Sequence, residues 1–99
     1  MRPIHLARLD KERPVLILTR ALVRPHLARV SVAPITTTIR GLSSEVPVGS
    51  ANGLDNDSVV SCDNILTVPV SRLGRHVGYL LPAQEAQLSE SIRAAFDLV

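Results

Sequence analysis

Aromatic residues are nearly absent: Tyr79 and Phe96 are the only two in 99 residues, and there is no tryptophan. A nucleic-acid surface built from stacked rings is therefore excluded, and both rings are expected to be buried in a core made otherwise of Val, Leu, Ile and Ala. Cys62 is the only cysteine, which excludes an internal disulfide and any Cys-rich zinc site and fits a reducing compartment. No apolar run approaches the length of a membrane span, and Arg2, Arg8 and Asp10 interrupt what would be a signal-peptide core. A cytoplasmic protein with no membrane partner is expected. A chain this short buries only roughly 60 to 65% of its unfolded surface, so one domain over residues 1–99 is expected, and a second subunit would add to its stability.

What is present is an uneven charge. The formal balance is only +2, yet residues 1–40 carry eight basic and two acidic side chains, while residues 41–99 carry three basic and seven acidic. Ten of the eleven basic residues are Arg, the side chain suited to bidentate contact with phosphate or carboxylate. The basic half thus points to an anionic partner.

The hydropathy pattern is mainly β. Ile4–Leu9 and Pro14–Thr19 are two apolar segments joined by a short polar turn, and the second is continuous enough to be a central strand buried on both faces. Leu27–Ile35 alternates with period two, and Pro34 predicts an edge or bulge near its end. Residues 41–57 have loop chemistry around one short extended piece, Glu45–Val48. Ser58–Cys62, Ile65–Val70 and His76–Leu81 follow as further strands. From Pro82 the period changes, and Leu88, Ile92, Ala95, Phe96 and Val99 define a helical core-facing stripe. The expected architecture is α+β: five to six strands, then one C-terminal helix.

Few residues carry obvious chemistry. The nine acids are scattered, so a carboxylate metal site is not expected. His5, His26 and His76 stand isolated in the sequence and are expected to be structural or surface groups, Cys62 a buried inert thiol, and no Gly-rich phosphate loop is present. Two segments remain: Arg13-Pro14, at the mouth of the central strand, and Pro34-Ile35-Thr36-Thr37-Thr38-Ile39-Arg40. A guanidinium and hydroxyls held at strand ends can converge on one anion. The same residues also suit a solvated turn and ordinary β propensity.

At these two segments the chain resembles the MazF/PemK family of endoribonuclease toxins. RPVLILTR (residues 13–20), VAPITTTIRGLSSEVPV (32–48), GLDNDSVVSCDN (53–64) and SRLGRHVGYL (71–80) are similar to family motifs and occur in the same order. The resemblance implies a small barrel of the SH3-like type with a C-terminal helix, a homodimer, and RNA in a groove at the dimer interface. It also implies cleavage without metal or cofactor, in which the ribose 2′-hydroxyl attacks the adjacent phosphate and leaves 2′,3′-cyclic phosphate and 5′-hydroxyl ends. The family's catalytic Arg and Thr fall on Arg13 and Thr36. Thr37, Thr38, Arg40, Arg20, Asp63 and Asn64 are then expected around the RNA. In such a reaction Arg13 would stabilise the transition state, with a part in proton transfer left open.

The chain departs from the family pattern in three places. A long Gly-containing loop, often GxEQxG, usually precedes the Arg-Pro pair, whereas here Asp10 reaches Arg13 through Lys11 and Glu12 alone; Ser61 and Leu66 stand where Arg is common. A shorter loop implies a more open groove, and the target is expected to be either a folded RNA such as a tRNA stem-loop or messenger RNA. The expected protein partner is a small acidic antitoxin whose C-terminal segment lies along the groove. Two alternatives use the same barrel: a catalytically silent toxin that binds DNA gyrase, and a plain RNA-binding module.

Overall fold

The computed structural model describes residues 1–99. Seven strands and one helix make up its regular structure: β1 (Pro3–Arg8), β2 (Glu12–Ile17), β3 (Arg29–Thr36), β4 (Glu45–Val48), β5 (Ser58–Ser61), β6 (Leu66–Pro69), β7 (Leu73–Tyr79) and α1 (Glu85–Phe96). The fold class is the expected one, with the short Glu45–Val48 piece forming a full strand. The antiparallel order is β4-β5-β3-β2-β1-β7, with β6 also paired to β3. No helix is long and apolar enough to cross a membrane.

Strand β2 is buried on both faces, as its continuous apolar run predicts. Leu16 faces a larger cluster with Ile4, Ala33, Ile35, Val46 and Val60; Val15 and Ile17 face a smaller one with Val30, Val32 and Val68. Strand β3 serves two sheets along one edge. Its first half pairs with β6 from Arg29 to Val32, and its end pairs with β5 at Ile35 and Thr36. Pro34 falls in the gap between these two partners while still lying opposite Val15 of β2. A residue without an N–H is tolerated where that edge has no ladder to complete.

The sheet path does not close by strand pairing. Its two ends, β4 and β7, are instead joined through the turn Ser50–Asn52, where Asn52 is 1% exposed. The Asn52 amide donates to the Tyr79 carbonyl (2.9 Å) and to Gln84 Oε1 (2.7 Å), and its oxygen accepts from the Gly49 N–H (3.0 Å) and from Gln84 Nε2 (3.3 Å). Gln84 in turn accepts the Leu81 N–H. Gly53, at φ +84°, and Gly78 let these backbones meet: a Cβ on Gly53 would collide with the Val77 carbonyl, and one on Gly78 with the Asn52 carbonyl.

Helix α1 packs on β4 and on the turn Cys62–Asn64. Leu88 is buried, Ile92 and Ala95 are partly buried against the larger cluster, and Ser91 is fully buried with its hydroxyl donating to the Glu45 carbonyl at 3.3 Å. Phe96 departs from the expected stripe at 57% exposure. Eight residues at 100° each carry it about 80° past Leu88, whereas Ser91 and Ala95 fall on the inner side. Tyr79 is likewise 42% exposed rather than buried. It lies on the edge strand β7, which pairs only with β1, its ring against His76 at 4.6 Å.

Replacing Asn52 by Ala leaves Gln84 and the Tyr79 carbonyl short of partners, and is expected to lower stability by roughly 2 to 4 kcal/mol. Chemical denaturation measures this loss, and an Asn52→Ala protein as stable as wild type would remove Asn52 from its closing role.

Candidate active site

The β1–β2 hairpin turns through Leu9, Asp10 and Lys11, with the Leu9 N–H donating to the Lys11 carbonyl. This short turn brings Asp10 against Arg13. The Arg13 guanidinium donates from Nε to Oδ1 at 2.9 Å and from Nη2 to Oδ2 at 3.1 Å, a two-point ion pair. The hydrogen bonds from Arg13, and next that from the Lys11 backbone, hold the Asp10 carboxyl well below the usual carboxylate range. Asp10 in turn pushes the Arg13 pKa above its already high ordinary value. Since the folded Asp10 pKa is depressed, the pair contributes above the normal carboxylate range and is lost only as pH falls into strong acid.

Arg13 opens into a cleft of about 740 Å³ whose lining includes Thr36, Thr38, Arg40, Glu45, Ser61, Asp63 and Asn64. Strand periodicity explains the choice. Pro34 and Thr36 point to one face of β3, and Arg13 points to the same face of β2. The Thr36 hydroxyl accepts the Thr38 N–H at 3.1 Å, which fixes the oxygen and leaves its own proton free to donate into the cleft. Asn64 donates to Ser61 at 2.8 Å, and Asp63 accepts from the buried Ser44 through Oδ2, leaving Oδ1 without a protein partner.

Glu45 is the functional residue that sequence reasoning missed. Only 8% exposed, its carboxylate accepts the backbone N–H groups of Arg40 (3.2 Å), Gly41 (2.8 Å) and Leu42 (3.1 Å). Gly41 takes φ +74°, so that three successive N–H groups turn toward one acceptor. Arg40 is thereby held at the rim of the cleft. An acid four to five residues after an Arg-Gly pair was the only local signal. Asp10 was visible in the sequence only as a turn residue.

Two expected site residues lie elsewhere. Thr37 faces the other side of the strand end and lines a separate cavity of about 350 Å³ with Pro14, Leu54 and Arg75. Arg20 is exposed beyond the opposite end of β2 and is not brought to the cleft. His5 and His76, isolated in sequence, are cross-strand partners in β1 and β7 with ring centroids 5.2 Å apart, and His5 Nδ1 lies 3.0 Å from the Gly74 carbonyl. They lie outside this cleft. No group of three or more His, Cys, Asp or Glu side chains is placed to hold a metal ion.

An arginine and a threonine hydroxyl thus share one cleft of a mainly β protein. Over residues 4–96 the chain matches the PemK-like, MazF-like toxins of type II toxin-antitoxin systems, and it belongs to that family. It is 67% identical to endoribonuclease MazF3 of Mycobacterium tuberculosis over 98 residues, covering 99% of this chain and 95% of the relative. The solved structure of the Mycobacterium tuberculosis toxin MazF-mt6 superposes with a TM-score of 0.97 at 66% identity, covering 99% of both chains. A mycobacterial endoribonuclease in complex with its cognate antitoxin is similar at a TM-score of 0.88 and 26% identity, covering 98% of this chain and 93% of that one.

Cys62 is buried beside this site, and burial, followed by the charge of Asp63, pushes its thiol from 9.0 up to about 11. A raised folded pKa favours the neutral thiol. The associated stability is fully present below about pH 9 and is lost as pH rises toward about 11. Alkaline denaturation series should show this decline in wild type and a weaker one in Cys62→Ala, and thiol reagents should label Cys62 only on unfolding.

Proposed function

We propose that this chain is the endoribonuclease of a toxin-antitoxin pair, with Arg13 and Thr36 as catalytic residues acting directly on the scissile phosphate. The observation that carries this reading is the meeting of the Arg13 guanidinium and the Thr36 hydroxyl in one cleft, each already oriented by a protein partner. The same toxin domain spans residues 1–99 and acts in the cytoplasm on cellular RNA. Its similarity to an endoribonuclease solved with its cognate antitoxin supports an antitoxin as regulator, and the family resemblance implies that this antitoxin is acidic and that the working form is a homodimer.

The cleft suits intramolecular cleavage of RNA. The 2′-hydroxyl is already adjacent to the phosphorus, so the protein needs mainly to align it in line with the 5′-oxygen that leaves. Negative charge grows on the non-bridging oxygens as the new bond forms. Arg13, kept protonated by Asp10, offers its remaining N–H groups to that charge, and Thr36 donates one more hydrogen bond. The O2′–P bond forms as the P–O5′ bond breaks, a solvent water gives a proton to the departing 5′-oxygen, and the products are the 2′,3′-cyclic phosphate and the 5′-hydroxyl. No metal is required for these roles.

The 2′-proton needs an acceptor. Arg13 is excluded, since Asp10 raises its pKa further. Of the three carboxylates lining the cleft, Asp10 is consumed by Arg13 and Glu45 by three backbone N–H groups. Asp63 alone keeps an oxygen free, and it is the general base in this mechanism. Arg40, Thr38 and Asn64 line the same cleft and contact the flanking RNA.

Arg13→Ala is expected to reduce the single-turnover cleavage rate by about 10²- to 10³-fold, and Asp63→Asn by about 10²- to 10⁴-fold. Both losses should persist in EDTA, with the wild type fully active there and leaving cyclic-phosphate ends. An Arg13→Ala protein that cleaves at the wild-type rate would sink the assignment.

The β1–β2 connection of three residues leaves the cleft uncovered on that side. This supports a folded RNA as the target over an unpaired message. Mapping of 5′-hydroxyl ends across total RNA after induction should find cuts concentrated in stem-loops; cuts dispersed along unpaired messages would count against a folded target.

A further inference from the structure

A second cavity, of about 420 Å³, shares the wall Leu9, Asp10 and Leu66 with the catalytic cleft and is lined further by Arg29, Thr67 and Arg72. Arg29 is the first residue of β3, and Arg72 ends the turn that crosses from β6 to β7. The crossing brings two basic residues 43 positions apart to one surface. Both are exposed, and neither forms an ion pair with a carboxylate. Arg72 has one long hydrogen bond, from Nη1 to the Arg8 carbonyl at 3.4 Å, which steadies the side chain without neutralising it.

We propose that this cavity is a docking subsite for backbone phosphates of the RNA strand flanking the scissile phosphate, gripped by Arg29 and Arg72. The inference rests on the endoribonuclease reading of the adjoining cleft. The only acid lining the cavity is Asp10, whose charge is already answered by Arg13, so Arg29 and Arg72 stand uncompensated. The cavity on the other side of the threonines differs, since Asp55 lines it together with Arg75. A strand leaving the cleft past Leu9 and Leu66 therefore meets an excess of positive charge in one direction only.

Asp10 sets the register of that strand. Its carboxylate, ion-paired to Arg13, stands in the wall common to both cavities and separates the Arg13 side from the Arg29 and Arg72 side. One phosphate is accordingly held on the Arg13 side of Asp10, and the next anionic contacts fall on the Arg29 and Arg72 side. Guanidinium groups free of carboxylate partners can each present two parallel N–H donors to a phosphate. Thr67 adds a hydroxyl to the same lining, 3.4 Å from that of Ser31.

The test compares cleavage of a short RNA, spanning only the nucleotides at the scissile bond, with the same sequence extended on both sides, each across a salt series. Wild type should cleave the extended RNA with the higher kcat/KM. The double substitution R29A/R72A should erase that advantage by about tenfold or more, through KM. It should also make the slope of log kcat/KM against log salt shallower by about 1.4, the value for two single-strand phosphates. R29K/R72K, which keeps the charges, should retain most of the wild-type slope. Equal losses on the short and the extended RNA, or an unchanged salt slope, would overturn the subsite, as would intact cleavage of extended RNA combined with weakened binding of an acidic antitoxin segment. Wild type that cleaves neither RNA and leaves no 5′-hydroxyl ends in total cellular RNA would overturn the endoribonuclease reading and the subsite with it. Wild type that cleaves both, beside an R29A/R72A protein indistinguishable from it, would overturn the subsite alone.

Discussion

The amide pair between Asn52 and Gln84 is the contact on which the rest of the molecule depends. Strand pairing stops at β4 on one side and β7 on the other, and the gap is bridged by the buried Asn52 and the half-buried Gln84 with the Gly49 N–H and the Tyr79 carbonyl. Every donor and acceptor of the Asn52 side chain is used. A buried polar group so satisfied confers specificity at little cost, whereas a partly satisfied one would destabilise the core. The seam also holds the start of the helical region, because Gln84 directly precedes α1.

Closure by a turn rather than by a strand leaves the ends of β2 and β3 free to form the site. Arg13 and Thr36 lie at neighbouring strand ends on one face, and the larger core cluster fills the opposite face with Leu16, Ala33 and Ile35. Helix α1 supports the arrangement from below: it packs on the Cys62–Asn64 turn that carries Asp63, and Ser91 bonds to the backbone of Glu45. The functional groups stand on rigid elements, and each is tied down by one neighbour: Arg13 by Asp10, Thr36 by the Thr38 N–H, the Arg40 backbone by Glu45, Asp63 by Ser44. Such preorganisation avoids reorientation at the moment charge develops.

Much of this was legible from residue patterns. The two-faced burial of β2 and the helix beginning near Pro82 follow from local sequence, and the family resemblance singles out Arg13 and Thr36, which the structure brings to one cleft. Pro34 was recognisable as a residue at an interruption, although the interruption proved to be a change of partner along one edge. The exposed Tyr79 and Phe96 were not legible, because hydrophobicity alone assigns both to the core. Ser91 was missed for the opposite reason: a hydroxyl gives no apolar signal, yet it is fully buried once the Glu45 carbonyl is there to accept its proton. Arg20 belonged to the basic half by count but lies at the wrong end of its strand.

By itself the chain's pattern of apolar periods and turn residues determined a mainly β protein with one C-terminal helix, and its ordered motifs carried the resemblance to a toxin family that singles out Arg13 and Thr36. These are local properties, set by side-chain alternation and by the conformations that Pro and Gly permit. Only the tertiary structure decided which carboxylates are occupied and which is free, that Asp10 locks Arg13, and that Arg29 and Arg72 meet beside the cleft. Those relations join residues up to 43 positions apart, or depend on a hydrogen bond already having been made elsewhere. Charge counting along a chain cannot separate a neutralised arginine from an uncompensated one, because that distinction is a matter of a few ångströms in space.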